Sequence, residues 1–234
     1  MIILAFDGTA KCASCAVLRD GVCLGEYNID NGLTQSELLL PMAESLMKGL
    51  KLDFSQVDLF ATSVGPGSFT GVRIGAALVK GLAFGRNVPC ASVSTLDALA
   101  ENARGLRGII APVMDARRGQ VYTAIFRCDG ENMKKLTEDM AISIKELGRM
   151  LSEYGGEQIY LVGDGYEVAR RGLLDMGVTP ETTPQGLRNE SAASVGRVAL
   201  RQYNDGNTVS DSELSPTYLR LPQAERERLE RTQK

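Results

Sequence analysis

The sequence predicts an α/β protein made of two tandem, duplicated α/β units. Three observations carry this. Each half opens on an apolar run that ends in an aspartate: Ile2–Phe6 before Asp7, and Gly108–Met114 before Asp115. Each aspartate is followed, at nearly the same distance, by an Asp-Gly turn, Asp20-Gly21 in one half and Asp129-Gly130 in the other. Each half then reaches a glycine turn leading from an apolar strand into a helix, first at 65–71 and again at Gly163-Asp164-Gly165. Self-similarity at so long a period is the mark of a supersecondary unit packed against its own copy.

The elements follow in order. Ile2–Phe6 is continuously apolar and suits a strand buried on both faces. Ser14–Leu18 and Val22–Tyr27 flank Arg19-Asp20-Gly21, a hairpin turn signal. Thr34 caps a helix reaching Leu50, with Glu37 completing a capping box. Val57–Ser63 is the next strand, and a helix runs from about Thr70 to Phe84. Pro89–Val93 is a short strand, after which Ser94 and Thr95 cap a helix to Ala103. Arg104-Gly-Leu-Arg-Gly108 interrupts the pattern, so the boundaries are set at 1–105, 106–215 and a charged tail, 216–234. In the second half Gln120–Arg127 reads as one strand, 143–154 as a helix and Gln158–Val162 as a strand entering another helix. A helix over 191–204 is expected to return toward the first half. In the tail, Glu227 and Arg231 form an i,i+4 pair on a solvated segment.

Composition removes several function classes. The chain has 234 residues, 44% hydrophobic and 24% charged, which is ordinary for a globular protein with ample core. A formal charge of −3 and a pI near 5.2 do not match a stand-alone nucleic-acid binder, which concentrates basic charge. Any grip on RNA is expected to come mainly from another chain. The opening Met-Ile-Ile-Leu-Ala-Phe-Asp reads as a strand without a basic leader, and no apolar run approaches the roughly 20 residues of a bilayer span. Five scattered cysteines suit a reducing compartment, so a cytoplasmic location is expected. Cys12 and Cys15 form a lone C-x-x-C, and a spacing of three in a strand sends the two thiols to opposite faces.

The chain contains no histidine. Ser-His-Asp and Cys-His pairs, histidine-ligated metals and imidazole acid–base work are therefore all excluded. The expectation is no catalytic residue and no metal ligand, with no cofactor and weak nucleotide binding left open.

The most informative stretch is the glycine turn, Gly65-Pro66-Gly67-Ser68-Phe69-Thr70-Gly71. Val72-Arg73 after Gly71 rules out a Walker A loop, and the glycine spacing misses the dinucleotide fingerprint by one residue. Tight strand–helix packing with a protein contact and close approach to a phosphate both remain open. The two neighbouring helices are apolar over more than half their circumference, whereas core packing requires a stripe of roughly 100°. This points to a helical protein–protein interface, with Leu38, Leu39, Met42, Leu46, Val72, Ala76, Val79, Lys80 and Ala83 as its candidates. Burial of both helices within the subunit is the competing reading.

Two α/β units that each open on a strand ending in aspartate resemble the actin/hexokinase/Hsp70-like ATPase superfold. More narrowly, Gly65-Pro-Gly-Ser-Phe-Thr-Gly-Val-Arg-Ile-Gly75 resembles the signature of the bacterial TsaB (YeaZ) family. Ile3-Leu-Ala-Phe-Asp7-Gly-Thr9, Ser36-Glu-Leu-Leu-Leu-Pro41, Met114-Asp-Ala-Arg-Arg-Gly-Gln-Val-Tyr122 and Pro216-Thr-Tyr-Leu-Arg220 agree, so the likeness spans residues 1 to about 225.

The resemblance implies an accessory subunit for making N6-threonylcarbamoyladenosine (t6A) at position 37 of tRNAs. It would bind and activate the catalytic paralogue TsaD through the two apolar helices, together with an ATPase partner, TsaE. It would touch tRNA indirectly through the complex and form a homodimer when alone. The catalytic relative holds a metal through two histidines on a first-half helix, where this chain carries Gln35. Asp7, Asp115 and Asp164 occupy the places of phosphate and magnesium handling in the superfold, and Asp7 and Asp115 are read as possible vestigial nucleotide contacts. Arg117, where a glycine-rich turn would admit phosphate, is expected to fill that space or neutralise Asp115. The rival readings are enzymes of the same superfold: a nucleotide-dependent kinase with Asp7 on the metal, or a peptidase.

Overall fold

The computed structural model describes residues 1–220. The first unit is a five-stranded sheet in the order β3-β2-β1-β4-β5. Its strands are β1 (Ile2–Asp7), β2 (Ala13–Arg19), β3 (Val22–Ile29), β4 (Leu59–Gly65) and β5 (Cys90–Ser94). β1 pairs antiparallel with β2 and parallel with β4. Helices α1 (Gln35–Gly49) and α2 (Phe69–Ala83) cover one face of this sheet. Thr34 and Glu37 form the expected capping box at α1, and the Ser68 hydroxyl caps α2 by accepting from Gly71 N.

The second unit repeats the plan. β6 (Arg107–Asp115) pairs antiparallel with β7 (Gln120–Thr123) and β8 (Phe126–Asp129), and parallel with β11 (Ile159–Val162). The fold is thus two tandem α/β units, each with a mixed sheet opening on a strand that ends in aspartate, as expected. β7 and β8 replace the single strand expected over Gln120–Arg127, and the reason lies across the ladder. The two share one register, and their break at Ala124-Ile125 faces Ala111-Pro112 of β6, where proline has no N–H to donate. Two further strands, β9 (Met133–Lys135) and β10 (Met140–Ser143), extend the sheet edges. They are too short to leave an alternating pattern in the sequence. α4 (Ile144–Ser152) and α5 (Tyr166–Leu174) pack on one face of this sheet.

The units are laced together by exchanged helices. α3 (Thr95–Asn102), from the first half, seats Leu96 and Leu99 on the second sheet with Ile110, Phe126 and Val162. α6 (Ala192–Asn204), from the second half, packs Ala192, Val195, Val198 and Ala199 on β1 and β2. A boundary of 106–215 for the second unit is therefore corrected: α6 crosses back into the first core, and its return toward the first half is as expected. Buried Glu101 on α3 binds Arg104 and Arg201, each at 2.8 Å. Lys135 joins Asp97 of the first half at 2.7 Å and Asp139 of its own half at 2.6 Å.

Cys12 precedes β2 rather than lying in it, and both it and Cys15 are buried. Burial pushes the Cys12 thiol up to about 11, so neither reactivity nor metal binding is favoured there. No helix among the described residues is long and apolar enough to cross a membrane. Glu227 and Arg231 lie outside the described residues.

Candidate functional site

A cleft of about 650 Å³ opens between the two units. Thr9, Lys11, Gln35 and the glycine turn line one side, with Asp115, Arg117, Tyr122 and Asp164 opposite and Thr217–Arg220 across the mouth. The residues expected to contact a nucleotide lie in or near this cleft, so the fate of each matters.

Asp7 does not line the cleft. It is 0% exposed; its Oδ1 accepts from Thr9 N at 2.9 Å and Thr9 Oγ1 at 2.7 Å, and its Oδ2 from Ser63 Oγ at 2.5 Å. Burial raises its pKa against the pull of these hydrogen bonds. A carboxylate enclosed this way serves the turn between β1 and β2, and its reading as a nucleotide contact is corrected. Asp115 does face the cleft, but its Oδ1 accepts Arg117 N at 2.7 Å. This is a backbone hydrogen bond, and among the described residues no ion pair joins the Arg117 side chain to Asp115, so the expected charge neutralisation is not seen. Arg117 and Arg118 both take positive φ, 63° and 57°, in place of the glycines a phosphate turn would use. Gln35 donates its amide to Ala10 O at 2.8 Å and holds the cleft wall. No group of three or more metal-ligating side chains occurs among the described residues.

The glycine turn is built for close backbone packing. A Cβ on Gly65 would meet Thr217 O, one on Gly67 Thr9 O, and one on Gly71 Gly8 O. Ser68 N, the amide a phosphate would need, donates to Thr9 O at 2.6 Å. Of the two readings left open, the geometry favours packing. Pro66 and Thr70 complete the turn, whose Gly65–Pro66 peptide is cis, and Phe69 stacks on Tyr218 with ring centroids 4.8 Å apart.

The proposed interface residues need the largest correction. Leu38, Leu39, Met42, Leu46, Val72, Ala76, Val79 and Ala83 are all buried in the subunit's own core. Lys80 donates to Ser212 O at 3.1 Å and so binds its own chain. Each helix carries more apolar surface than its core face uses. The excess lies on the opposite side: Leu40 is 38% exposed, Phe84 is 78% exposed, and Pro41, Ala77 and Gly81 are exposed beside them. A Cβ on Gly81 would meet nothing, so a neighbour has room to approach the α2 backbone.

The place of two features in the site was not read from the sequence, although Pro216–Arg220 carried part of the family likeness. Glu190, 4% exposed at the start of α6, has an Oε1 without a hydrogen-bond partner. Burial first, then the charges of Asp7 and Asp164, raises its pKa well above the usual carboxylate range. The segment 217–220 crosses the cleft. Thr217 N donates to Val64 O at 2.7 Å, Tyr218 OH accepts from Arg73 Nε at 2.9 Å, and Arg220 donates to Ala116 O at 3.2 Å and to Gln120. These partners lie some hundred or more positions away along the chain, beyond the reach of local pattern.

Comparison with known proteins shows what the geometry resembles. A family model described as "TsaD: tRNA N6-adenosine threonylcarbamoyltransferase" matches residues 34–224. The chain is 29% identical over 229 residues to the "tRNA threonylcarbamoyladenosine biosynthesis protein TsaB" of Bacillus subtilis strain 168, covering 96% of each chain. A protein of the same name from Buchnera aphidicola subsp. Baizongia pistaciae is 30% identical, covering 74% of this chain and 79% of its own length. Among solved structures, YeaZ from Pseudomonas aeruginosa superposes with a TM-score of 0.78 at 26% identity, over 93% of this chain and 99% of that one.

Proposed function

Since this chain belongs to the TsaB (YeaZ) family, we propose that it is a non-catalytic docking subunit required to form t6A on tRNA. It takes part in tRNA threonylcarbamoyladenosine biosynthesis by binding the catalytic paralogue TsaD and favouring that enzyme's active conformation. A ligand that prefers one conformation shifts the population toward it, and a protein partner acts by the same rule. The ATPase subunit TsaE joins the assembly, tRNA is reached through the complex, and the work is done in the cytoplasm.

The observation that carries this reading is the cleft itself. Asp7 is sealed behind Thr9 and Ser63, Asp115 is capped by a backbone amide, and Gln35 is tied to Ala10. A chain without histidine offers no imidazole base near neutral pH. The kinase reading put Asp7 on the metal, and Asp7 is buried outside the cleft lining; Asp115, which does face the cleft, accepts Arg117 N. A peptidase reading needs an activated nucleophile; Ser68 Oγ is used as the α2 cap, and Thr9 Oγ1 donates to Asp7, which is buried away from the cleft lining.

The outward apolar face of α1 and α2 supports docking. Leu40, Pro41, Ala77, Gly81 and Phe84 are exposed small or apolar residues on two helices in contact, and half-buried Ile74 and Leu78 pack against the core. An exposed apolar set of this kind suits helix-against-helix packing, and Gly81 permits close approach. An interface of about 1,600 Å² would be of ordinary size. With no paralogue present, a second copy of the chain covers the same face as a homodimer.

The test is to deplete the protein in its host and quantify t6A in total tRNA by mass spectrometry. Loss of the modified nucleoside is expected, and an unchanged level overturns the assignment.

A further inference from the structure

The net charge of the chain is negative, yet the cleft mouth is basic. Lys11, Arg117 and Arg220 line it, Arg118 adjoins Arg117, and Arg73 stands beside Tyr218 on the exposed side of α2. Among the described residues none of these five forms an ion pair with a carboxylate. Asp115 and Asp164 are the acidic groups of the same cleft. One is capped by Arg117 N, and the other accepts Asp115 N at 3.1 Å.

Aromatic rings are interleaved with the cations. The Arg73 guanidinium lies 3.7 Å from the centroid of Phe69, which stacks on Tyr218. The Arg220 guanidinium sits 5.5 Å from the Tyr122 centroid. Tyr218 remains 42% exposed and offers ring surface to solvent. Cations alternating with accessible aromatic faces are the composition of a single-stranded nucleic-acid track, where phosphates meet the charges and bases stack. An acidic protein partner would satisfy the cations and leave the rings without a role.

We propose that the cleft mouth is an RNA-contacting surface: Lys11, Arg73, Arg117, Arg118 and Arg220 meet backbone phosphates, and Tyr218 stacks on an unpaired base. This rests on the t6A reading and deepens it, by assigning part of the tRNA contact to a subunit expected to touch tRNA only indirectly. The surface is continuous with the docking face, because Arg73 lies one helical turn from Ala77. A partner seated on α1 and α2 therefore presents its RNA beside this arc.

The test measures binding of a stem–loop RNA with an unpaired loop to the full-length chain, alone and with its catalytic paralogue, by fluorescence anisotropy across a salt series. Removing two phosphate contacts in Arg117→Ala/Arg118→Ala should flatten the log–log salt slope by about 1.4. Tyr218→Ala should weaken binding about five-fold or more. Lys48→Ala/Lys51→Ala, which removes equal charge from the end of α1, should change the slope little.

Unchanged affinity and slope in the arginine variant overturn the proposal, as does equal binding of a fully paired RNA. So does complete displacement by ATP, which would mark a mononucleotide pocket. Loss of an acidic protein partner with RNA binding intact overturns it too. The t6A reading is judged separately, by depletion: failure there sinks the function, whereas failure here leaves that function standing and removes only the RNA surface.

Discussion

Two substitutions on one helix, two residues apart, separate the docking face from the core. Val79 and Ala77 both lie in α2, but Val79 is 0% exposed against the first sheet and Ala77 faces outward. Val79→Glu places a carboxylate in the apolar cluster with Leu39, Met42, Phe60 and Ala83. Losing the buried valine side chain costs about 2 kcal/mol. Burying an unpaired polar group costs about 1–3 kcal/mol more, and a charge costs more again. A total near 4 kcal/mol is a large fraction of the roughly 5–15 kcal/mol that holds a domain folded.

Ala77→Glu sits in solvent and should shift stability by no more than about 0.5 kcal/mol. In the complex it would bury a carboxylate at the centre of an apolar contact, for about 2 kcal/mol or more, a loss of about 30-fold in affinity. Circular dichroism with thermal melting, together with calorimetric titration against the catalytic paralogue, reads both quantities. Val79→Glu should melt early or fail to fold; Ala77→Glu should melt normally and bind weakly. An Ala77→Glu variant that binds like the parent refutes the docking face. A Val79→Glu variant with an unchanged melting temperature refutes the core assignment.

Further outcomes follow from single positions. Gly71→Ala drives a Cβ into Gly8 O, backbone against backbone, so the cost of overpacking exceeds alanine's helical advantage. A net loss of about 2 kcal/mol should lower the melting temperature by about 4–8 °C, and a neutral or raised value would show that the turn has slack. Glu190 binds its proton more tightly folded than unfolded, because burial and the charges of Asp7 and Asp164 raise its pKa. Its contribution is therefore greatest below the ordinary carboxylate range and is lost as pH rises through the raised folded value. Glu190→Gln, which cannot ionise, should gain stability over the parent as pH goes from 5 to 8. Denaturant titrations showing a constant difference would remove Glu190 as the cause.

The elements of the first half were legible with boundaries good to a few residues, and for local reasons. An all-apolar run, an Asp-Gly turn and a Thr34/Glu37 capping box each act within a few positions. Duplication was legible because it repeats those signals. β9 and β10 were not, since Met133–Lys135 and Met140–Ser143 are strands by virtue of the neighbours they pair with. Nor was the division of Gln120–Arg127, which is imposed from across the ladder by Pro112.

For the candidate site the sequence by itself determined what chemistry was unavailable, since the absence of histidine needs no coordinates. It also showed that α1 and α2 carry more apolar surface than one core face uses. Only tertiary structure decided which side of each helix meets the core, because hydrophobic periodicity measures the amount of apolar surface and not what covers it. The same holds for Asp7, Tyr218 and Arg220. Whether a carboxylate is enclosed, or a ring stands open beside a guanidinium, depends on segments that meet only after the chain has folded back across its own cleft.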